Sequence, residues 1–172
     1  MTREYFLQTS RLKFSTWNND DLELAKRLWG NSQVTKYISA TGSFDLSDII
    51  NRLDLEITSN QRNHVQYWPV FELESENFIG CCGLRKIDSN GYELGFHLLP
   101  DFWHHGYGYE AAKAIIKYAA NILKAKYLMA GHNPDNLASK KLLNKLGFIY
   151  DHDEYYKPTG LQHPTYYLQL NN

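Results

Sequence analysis

The clearest pattern along the chain is a change from strand-like to helix-like spacing of its apolar positions near residue 100. Residues 91–99 predict a strand, and Pro100 ends it. From Ala112 to Leu123 the apolar residues recur three and four positions apart, which is the spacing of one face of an α-helix. The pattern therefore predicts that residues 101–111 form a loop between a strand and the N-terminus of a helix.

The predicted loop contains two glycines, Gly106 and Gly108, at the point where the helix begins. A helix N-terminus carries backbone N–H groups without intrahelical partners, and glycine lets the backbone turn tightly and approach a bulky anion. These features are typical of a phosphate-binding loop. A purely structural role for the glycines stays open at this point, because strand-to-helix turns often use glycine for their geometry alone.

Alternating and helical patterns elsewhere predict the remaining elements. The predicted strands are 11–17, 67–73, 78–85, 127–131, 148–156 and 163–170, and the further helices are 20–29, one from 45 or 47 to about 58, and one that starts at Asn133–Pro134. A loop is predicted between the first two helices. Pro69 predicts an edge strand or a bulge, and residues 88–91 predict a hairpin turn. The order predicts one α+β domain over residues 1–172, with a mixed, mostly antiparallel central sheet of about seven strands and about four flanking helices.

Charge and cysteine usage limit the classes of function. The 172-residue chain has a formal net charge of −1, so it lacks the basic field that binds nucleic acids or anionic membranes. The first residues lack the apolar run of a signal peptide, and no later run is long enough to span a bilayer. The adjacent cysteines, Cys81 and Cys82, supply neither a metal cage nor a disulfide framework. We therefore expect a cytoplasmic protein with no metal, no nucleic-acid partner and no membrane partner.

Four groups of segments resemble the GNAT superfamily of N-acetyltransferases, and specifically its RimJ/RimL-like branch. They are 9–12 (TSRL), 79–84 with 93–96 (IGCCGL and ELGF), 98–111 (LLPDFWHHGYGYEA), and 133–139 with 146–148 (NPDNLAS and LGF). The resemblance spans nearly the whole chain, in the order and spacing of the family. It implies the GNAT fold, and it implies acetyl-CoA as the acetyl-donor cosubstrate.

The resemblance also implies a role for each matching residue. Backbone amides of the glycine loop would hold the pyrophosphate of coenzyme A, and the main chain of Leu98 and Leu99 would pair with its pantetheine arm. Asn136 would contact the same arm, and Ser139 would lie near the thioester sulfur. Glu93 would take the proton of the acceptor amine, directly or through water. The loop residues with the implied pyrophosphate role are His104, His105, Gly106, Tyr107, Gly108 and Tyr109.

The loop departs from the family pattern at three positions. A basic residue is usual at His105, a glycine is common at His104, and threonine or serine is frequent at Tyr109. Histidine titrates near neutrality, so a His105 ring beside a phosphate would strengthen cofactor binding as the pH falls. The alternative is that this ring packs outward against Trp103 or Tyr109. A main-chain cradle needs none of these side chains.

Direct acetyl transfer needs a base for the amine, a donor for the oxyanion and a proton for the leaving thiolate. Glu93 suits the first role if burial or relayed water raises its proton affinity; otherwise it is a strand carboxylate paired with a neighbour. Ser139 follows Asn136 by one helical turn and suits the third role, with a surface serine as the alternative. We expect the oxyanion donor to be a main-chain N–H of the splayed strand, which the sequence does not identify.

Two further groups offer different chemistry. A covalent acetyl-cysteine route through Cys81 or Cys82 is conceivable, but buried strand cysteines usually pack as small hydrophobes, and no histidine partner marks them. His97 is either a second base or a half-buried strand histidine with a satisfied ring. We therefore expect direct attack within a ternary complex.

The acceptor end of the site is less specified. An acidic and aromatic group would attract a cationic amine, or it forms a solvated turn. It consists of Asp151, Asp153, Glu154, Tyr155 and Tyr156, and further candidate walls are Tyr37, Tyr166 and Tyr167. The predicted acceptor is a primary amine on a protein N-terminus or on a small molecule such as a polyamine, an amino sugar or an antibiotic. The alternative function is a catalytically silent CoA-binding or regulatory module of the same fold, and the chain is expected to be a monomer or a homodimer.

Overall fold

In the computed structural model, which describes residues 2–171, eight strands form one sheet. The strands are β1 (Leu7–Gln8), β2 (Leu12–Phe14), β3 (Tyr67–Glu72), β4 (Phe78–Lys86), β5 (Gly91–Leu98), β6 (Tyr127–Gly131), β7 (Ile149–Tyr156) and β8 (Leu161–Gln169). Their order across the sheet is β1-β2-β3-β4-β5-β6-β8-β7. Among these neighbours the β5–β6 pair is parallel and the others are antiparallel. The predicted α+β class with a mixed, mostly antiparallel sheet is confirmed.

Five α-helices accompany the sheet within the described residues. They are α1 (Leu22–Trp29), α2 (Ser32–Thr35), α3 (Leu46–Asn63), α4 (Tyr107–Asn121) and α5 (Leu137–Lys145). Four of them correspond to predicted helices. The loop predicted between the first two helices is wrong in part, because α2 lies there: the Asn31 side chain caps it by accepting from Gln33 N at 2.9 Å. The additional strand, β1, has two residues and is too short to show an alternating pattern.

The helix α5 begins three residues later than the predicted start at Pro134. Asn133 was expected to be its cap, but the Asn133 side chain accepts from Asp135 N at 3.0 Å and closes a turn before the helix. Asn136 is the N-cap, and its side chain accepts from Ser139 N at 3.1 Å. Two residues with implied functional roles are therefore bonded to each other at the start of α5.

Pro69 lies in an inner strand, so the prediction of an edge strand at this position is wrong. The β3–β4 register shifts one residue later, between Val70 and Phe71, in agreement with the alternative prediction of a bulge. The proline is tolerated because the β2–β3 ladder ends at the Phe14–Val70 pair. Beyond that pair the Pro69 carbonyl still accepts from Ser15 N at 3.0 Å, and no strand residue there requires the missing N–H.

The sheet separates two hydrophobic clusters. The first contains Ile115 of α4 and Leu143 of α5, and the second contains Leu28 of α1 and Leu53 of α3. The neighbouring residues Cys81–Cys82 belong to different clusters, because successive side chains of a strand point to opposite faces. Helices α4 and α5 therefore cover one face of the sheet, and α1 and α3 cover the other.

The strands β5 and β6 separate partway along their length. Their parallel pairing runs from Gly91–Tyr127 to Glu93–Met129 and then ends. Both strands continue, β5 to Leu98 and β6 to Gly131. The sheet therefore has an opening next to Glu93, bounded by main chain that has no partner strand on that side.

Candidate active site

A cavity of about 370 Å³ lies where β5 and β6 diverge. Its wall includes three predicted site residues, Glu93 from β5 and Asn136 and Ser139 from the start of α5. Residues of both hydrophobic clusters also line it, such as Leu143 from the first and Tyr67 from the second. The cavity therefore passes through the opening in the sheet, from the face covered by α1 and α3 to helix α5.

The main chain of β5 turns hydrogen-bonding groups toward this opening. Leu99 N donates to Ile79 O at 2.9 Å, and the alternation of an antiparallel ladder then directs the N–H groups of Phe96 and Leu98 away from β4. The Leu98 carbonyl accepts from Trp103 Nε1 at 2.8 Å, but its N–H faces the opening. The N–H of Leu99 is already bonded to β4 inside the sheet. Of the two leucines with an implied main-chain role, Leu98 is therefore the one whose N–H can bind a ligand in the opening. Phe96, which was not predicted, offers an equivalent group.

The glycine loop leads into α4 with its first amides free of helical partners. Gly106 is the residue before the helix and has a φ of 77°, in the left-handed region that favours glycine. The first intrahelical bond is donated by Glu110 N to Gly106 O at 3.1 Å, so the amides of Tyr107, Gly108 and Tyr109 precede the ladder. A Cβ built on Gly106 meets only Arg11 Nη2, at 3.4 Å. The loop thus has both the donors and the open space that a pyrophosphate requires.

The N-terminal segment braces this loop through Glu110. One Glu110 oxygen accepts from Thr9 Oγ1 at 2.6 Å and from Arg11 N at 3.0 Å, and the other accepts from Arg11 Nε at 2.6 Å. Arg11 Nη1 in turn donates to the carbonyl of His105 at 2.9 Å, and the Arg11 guanidinium lies 4.5 Å from the Tyr107 ring centre. These bonds tie the loop to β2. No role was predicted for Glu110, although it lies between the loop glycines and the predicted helix face.

The three departures from the family pattern have visible structural consequences. His104 has a φ of 63°, the conformation for which the more usual glycine is suited. The His105 ring stacks on the Tyr107 ring with centres 6.0 Å apart, rather than on Trp103 or Tyr109. The Tyr109 ring faces the far end of α5, where Lys145 Nζ lies 4.3 Å from its centre.

Glu93 is the carboxylate at the point where the strands diverge. It accepts a hydrogen bond from the Tyr67 hydroxyl at 3.3 Å, and it pairs in register with Arg85 of β4. Burial raises the pKa of Glu93 above its ordinary value, while Arg85, the bond from Tyr67 and then Arg52 oppose that rise. A carboxyl group with a raised pKa binds protons more strongly, and this property suits a general base that works on an amine.

A buried ion cluster, which was not predicted from the sequence, lies beside Glu93. Glu56 of α3 is fully buried and accepts from Arg52 Nε at 2.9 Å, from Arg85 Nη2 at 2.6 Å and from Tyr67 N at 2.7 Å. A signal existed in the sequence, because Arg52 and Glu56 lie four residues apart on the same helical face as the predicted core residues Ile49 and Leu53. Charged residues on an apolar helical face are expected to be paired in the interior.

His97 is placed against the acceptor side of the cavity as a neutral ring. Trp29 Nε1 donates to His97 Nδ1 at 3.1 Å, so the ring proton is on Nε2. Burial lowers the pKa of His97 well below its usual value, and the charges of Arg52 and Arg85 lower it further. His97 is thus a neutral strand histidine whose Nδ1 accepts a hydrogen bond and whose Nε2–H remains as a donor. It is not a base for the amine.

Neither cysteine has the environment of a nucleophile. Burial raises the pKa of the Cys81 thiol to about 12 and raises that of Cys82 well above its usual value. Cys81 Sγ lies 3.8 Å from His97 Nδ1, but that nitrogen already accepts the proton of Trp29. A thiol that stays protonated near neutral pH is a weak nucleophile.

We predict that Cys81→Ala and Cys82→Ala each retain kcat within about two-fold, because neither thiolate forms at neutral pH. Each substitution should lower the free energy of unfolding by about 1 kcal/mol, since a buried side chain is truncated. Steady-state kinetics and denaturant unfolding measure the two quantities. Intact-mass detection of an acetylated cysteine that passes its acetyl group to an amine contradicts this prediction.

Ser139 lies in the cavity with its hydroxyl uncommitted. The Ser139 side chain is partly buried, its backbone N donates to Asn136, and its hydroxyl makes no hydrogen bond to a residue in the described part of the chain. Because the Asn136 oxygen is used as the helix cap, its amide nitrogen is the group left to face a ligand. The two side chains stand on the α5 side of the opening, and Glu93 stands on β5.

The acceptor end contains only part of the acidic and aromatic group predicted there. Glu154, Tyr155 and Tyr156 of β7 line the cavity, as does Tyr37. The others lie outside the lining; their side chains contact neighbours on the β7–β8 hairpin and on β6. These other residues are Asp151, Asp153, Tyr166 and Tyr167. Glu154 is close enough to contribute to the raised pKa of Glu93.

Three further observations concern the described chain as a whole. None of its helices combines the length and the apolar character that a membrane span requires. Within residues 2–171, three or more His, Cys, Asp or Glu side chains do not gather into a group that could hold a metal ion. Both cysteines are free and buried.

Comparison with known proteins connects this geometry to a family. The family model described as an acetyltransferase (GNAT) domain matches residues 11–149. The uncharacterized N-acetyltransferase p20 of Bacillus licheniformis is 32% identical over 150 residues, which cover 83% of this chain and 81% of that protein.

Solved structures of acetyltransferases share the fold. RimL, a ribosomal L7/L12 alpha-N-protein acetyltransferase in complex with coenzyme A, superposes with a TM-score of 0.81 at 14% identity, covering 97% of this chain and 98% of that one. Spermidine N-acetyltransferase from Vibrio cholerae, in complex with CoA and spermine, gives 0.77 at 16% identity, covering 94% and 96%. At these identities the likeness establishes the fold alone. The family model and the Bacillus relative establish more: this chain belongs to the GNAT family of acetyltransferases.

Proposed function

We propose that this acetyltransferase, acting over residues 1–172 as one catalytic domain, moves the acetyl group of acetyl-CoA to a primary amine by direct attack in a ternary complex. The observation that carries the proposal is that a single cavity gathers Glu93, Asn136 and Ser139 at the opening between β5 and β6. The sequence segments that resemble the RimJ/RimL-like branch support a place in that branch, and we propose a cytoplasmic location with it.

The residues that would hold acetyl-CoA fit its two ends. The backbone amides from His104 to Tyr109, in the loop and at the start of α4, would bind the pyrophosphate. Gly106 leaves open space for it. The N–H group of Leu98 would pair with an amide group of the pantetheine arm, as an added strand pairs with a sheet edge. The side-chain amide nitrogen of Asn136 would reach the same arm.

Acetyl-CoA supplies the acetyl group as a thioester. Glu93 would accept the proton that the acceptor ammonium loses before its nitrogen attacks, and the raised pKa of Glu93 suits that transfer. Ser139 would donate its hydroxyl proton toward the departing sulfur. The N–H of Phe96, which lies nearer to Glu93 along β5 than that of Leu98, would serve the developing oxyanion.

A thiol-release assay with an amine panel tests the proposed function. The panel contains a peptide with a free N-terminus, a polyamine, an amino sugar and α-amino acids, each with acetyl-CoA at a saturating concentration. Release of free thiol above the hydrolysis background in at least one reaction is the expected result. Tight binding of acetyl-CoA without release of thiol in any reaction would instead favour the catalytically silent module. The observations above give no support to that module. Sedimentation of the same sample decides between monomer and homodimer.

We predict that Ser139→Ala lowers kcat by about ten-fold and leaves the acetyl-CoA Kd within about two-fold. The reason is that the hydroxyl is uncommitted in the protein and would contact the leaving sulfur only as the bond breaks. Ser47→Ala is the matched control, because Ser47 also lies in the first turn of a helix but is exposed and outside the cavity. Equal kcat values for both variants and the wild type remove Ser139 from the chemistry.

A further inference from the structure

The ion cluster beside Glu93 contains more donors than the protein uses. One oxygen of Glu56 accepts from both guanidiniums, and the other oxygen accepts from the backbone N–H of Tyr67. Arg52 is bonded through Nε and Arg85 through Nη2, and these are the hydrogen bonds that each guanidinium makes within the described chain. Since a guanidinium carries five N–H donors, most of them remain available.

The two guanidiniums are held in place on the cavity wall. Arg85 lies 4.6 Å and Arg52 5.3 Å from the centre of the Tyr67 ring, and Arg52 also lies 5.2 Å from the centre of a Trp29 ring. Both residues line the cavity, with 14% of the Arg52 side chain and 29% of the Arg85 side chain exposed. Arg85 Nε is the buried side-chain N or O atom that lacks a hydrogen-bond partner among residues 2–171. Such an under-used, fixed pair of guanidiniums is a site for a planar anion.

This pair lies next to the carboxylate that is proposed to accept the amine proton. Arg85 and Glu93 are direct cross-strand partners on β4 and β5, so their Cβ atoms are about 5 Å apart on the same face. The neutral ring of His97, with its Nε2–H, follows on the same face of β5. If an amine is held at Glu93, an anionic group a few covalent bonds away on the same molecule therefore lies within reach of these donors.

The charges of the cluster favour the same occupant. With Glu93 ionised, the four groups Arg52, Arg85, Glu56 and Glu93 carry no net charge. When Glu93 takes the proton of the amine, an excess positive charge remains among largely buried side chains, and an anion on the acceptor would offset it. A polyamine would instead bring further positive charge to the two guanidiniums, and Glu154 at β7 is the single acidic cavity residue outside the cluster.

We propose that the cavity binds an acceptor that carries a carboxylate close to its reactive amine, as an α-amino acid does, with Arg52 and Arg85 holding the carboxylate. This inference deepens the proposed amine acetylation and rests on it. The acceptor class differs from the polyamine and from the protein N-terminus, in which the α-carboxyl group is part of a peptide bond. In this arrangement Glu93 accepts the amine proton, and the two arginines orient the amine toward the opening between β5 and β6.

The test compares acceptors that differ only in the anion. Glycine, leucine and phenylalanine are each assayed beside the corresponding amino acid amide and decarboxylated amine, together with spermidine. The expected result is that, in at least one series, the carboxylate-bearing acceptor has a kcat/KM roughly ten- to a hundred-fold above that of its amide, since a charge-assisted pair is removed in the amide. Equal or better turnover of the amides, of the amines or of spermidine overturns the carboxylate subsite while leaving acetyl transfer intact.

Variants show whether the arginines cause the preference. Arg85→Gln and Arg52→Gln should each bring the ratio of carboxylate to amide kcat/KM close to one, and Arg85→Lys should retain part of it. The ratio cancels any effect of these substitutions on the pKa of Glu93, because that effect is common to both acceptors. Arg62→Gln is the control, since Arg62 lies on the same helix but is exposed and outside the cavity. If the ratio is unchanged in both glutamine variants, the assignment of the carboxylate to Arg52 and Arg85 is overturned. If the variants do not fold, the ratio measured for the wild type decides whether the carboxylate subsite exists.

A binding measurement separates this proposal from the proposed function. Calorimetric titration with N-acetyl-leucine and with N-acetyl-leucinamide, in the presence of coenzyme A, requires no turnover. Tighter binding of the carboxylate form supports the subsite even if no amine is acetylated. Equal binding of the two forms, together with acetylation of amines that lack a carboxylate, leaves the proposed function standing and removes the subsite.

Discussion

Replacing Glu93 with glutamine is expected to lower kcat by about a hundred-fold or more, with little change in the acetyl-CoA Kd. Glutamine keeps the shape of the side chain and can still accept from the Tyr67 hydroxyl, but it cannot take a proton from the amine. The amides proposed to hold the pyrophosphate of the cofactor lie at the start of α4, away from this carboxylate. Steady-state kinetics and calorimetric titration of the same variant separate the two effects.

The pH dependence gives the same prediction a second measurement. A base acts in its deprotonated form, so activity falls as the pH drops through the pKa of Glu93. Because burial raises that pKa, the acidic limb of the kcat profile should lie above the ordinary range of a glutamate. Tyr67→Phe removes a bond that lowers the pKa, so it should move this limb to higher pH. The limb should be absent in Glu93→Gln.

Two outcomes contradict a base role for Glu93. One is a Glu93→Gln protein with near wild-type kcat, and the other is an acidic limb that persists in that protein. Glu23→Gln is the control for the loss of a carboxylate as such, because Glu23 forms an exposed pair with Lys26 on α1. That pair lies outside the cavity, so the control should keep both its rate and its pH profile.

Local chemistry explains why the strands leading to the site were predictable from the sequence. The turn between β4 and β5 is determined by its own residues: Asp88 Oδ1 accepts from Asn90 N and Gly91 N, at 2.7 and 2.8 Å. A strongly apolar run predicts the strand before this turn, and residues 91–99 predict the strand after it. The left-handed conformation at Gly106 is likewise a local requirement, which is why the start of α4 is also marked in the sequence.

Tertiary contacts decide the features that the sequence left undetermined or wrongly assigned. Asn133 and Asn136 are equally suitable caps, and the choice depends on packing, since Asn133 Nδ2 also reaches the Tyr37 carbonyl at 3.4 Å. The cluster of Arg52 and Arg85 around Glu56 joins a helix to a strand 29 residues away. A helical pattern shows that two charges share a face, but it does not show which strand supplies the third.

The candidate site combines both kinds of information. Glu93, Asn136 and Ser139 were identified through resemblance to a family, and the fold brings all three to one cavity. The two arginines of the ion cluster come from α3 and from the end of β4, at positions outside the segments that carry the family resemblance. Residues that match a family motif are thus easier to find from sequence than a charged cluster that the fold alone brings together.

Gly106→Val is expected to weaken acetyl-CoA binding by on the order of ten-fold or more, at about 1.4 kcal/mol per decade. Gly106 has a φ of 77°, which a β-branched residue adopts only with a strain of about 1–3 kcal/mol. The new side chain meets little else, since only Arg11 Nη2 lies within 4 Å of the added Cβ. The loop should relieve the strain by rotating its backbone, which turns the amides of Tyr107 and Gly108 away from the anion.

Two glycine controls separate conformation from space. Gly160 has a φ of 71° in the β7–β8 turn with nothing within 4 Å of its added Cβ, so Gly160→Val introduces the same strain away from the loop. It should lower stability and leave the Kd of acetyl-CoA unchanged. Gly108 is helical, and its added Cβ would meet the flexible end of Leu142 at 3.3 Å, so Gly108→Ala should change the Kd by no more than about three-fold. A folded Gly106→Val protein with wild-type affinity in calorimetric titration would place the pyrophosphate somewhere other than this helix N-terminus.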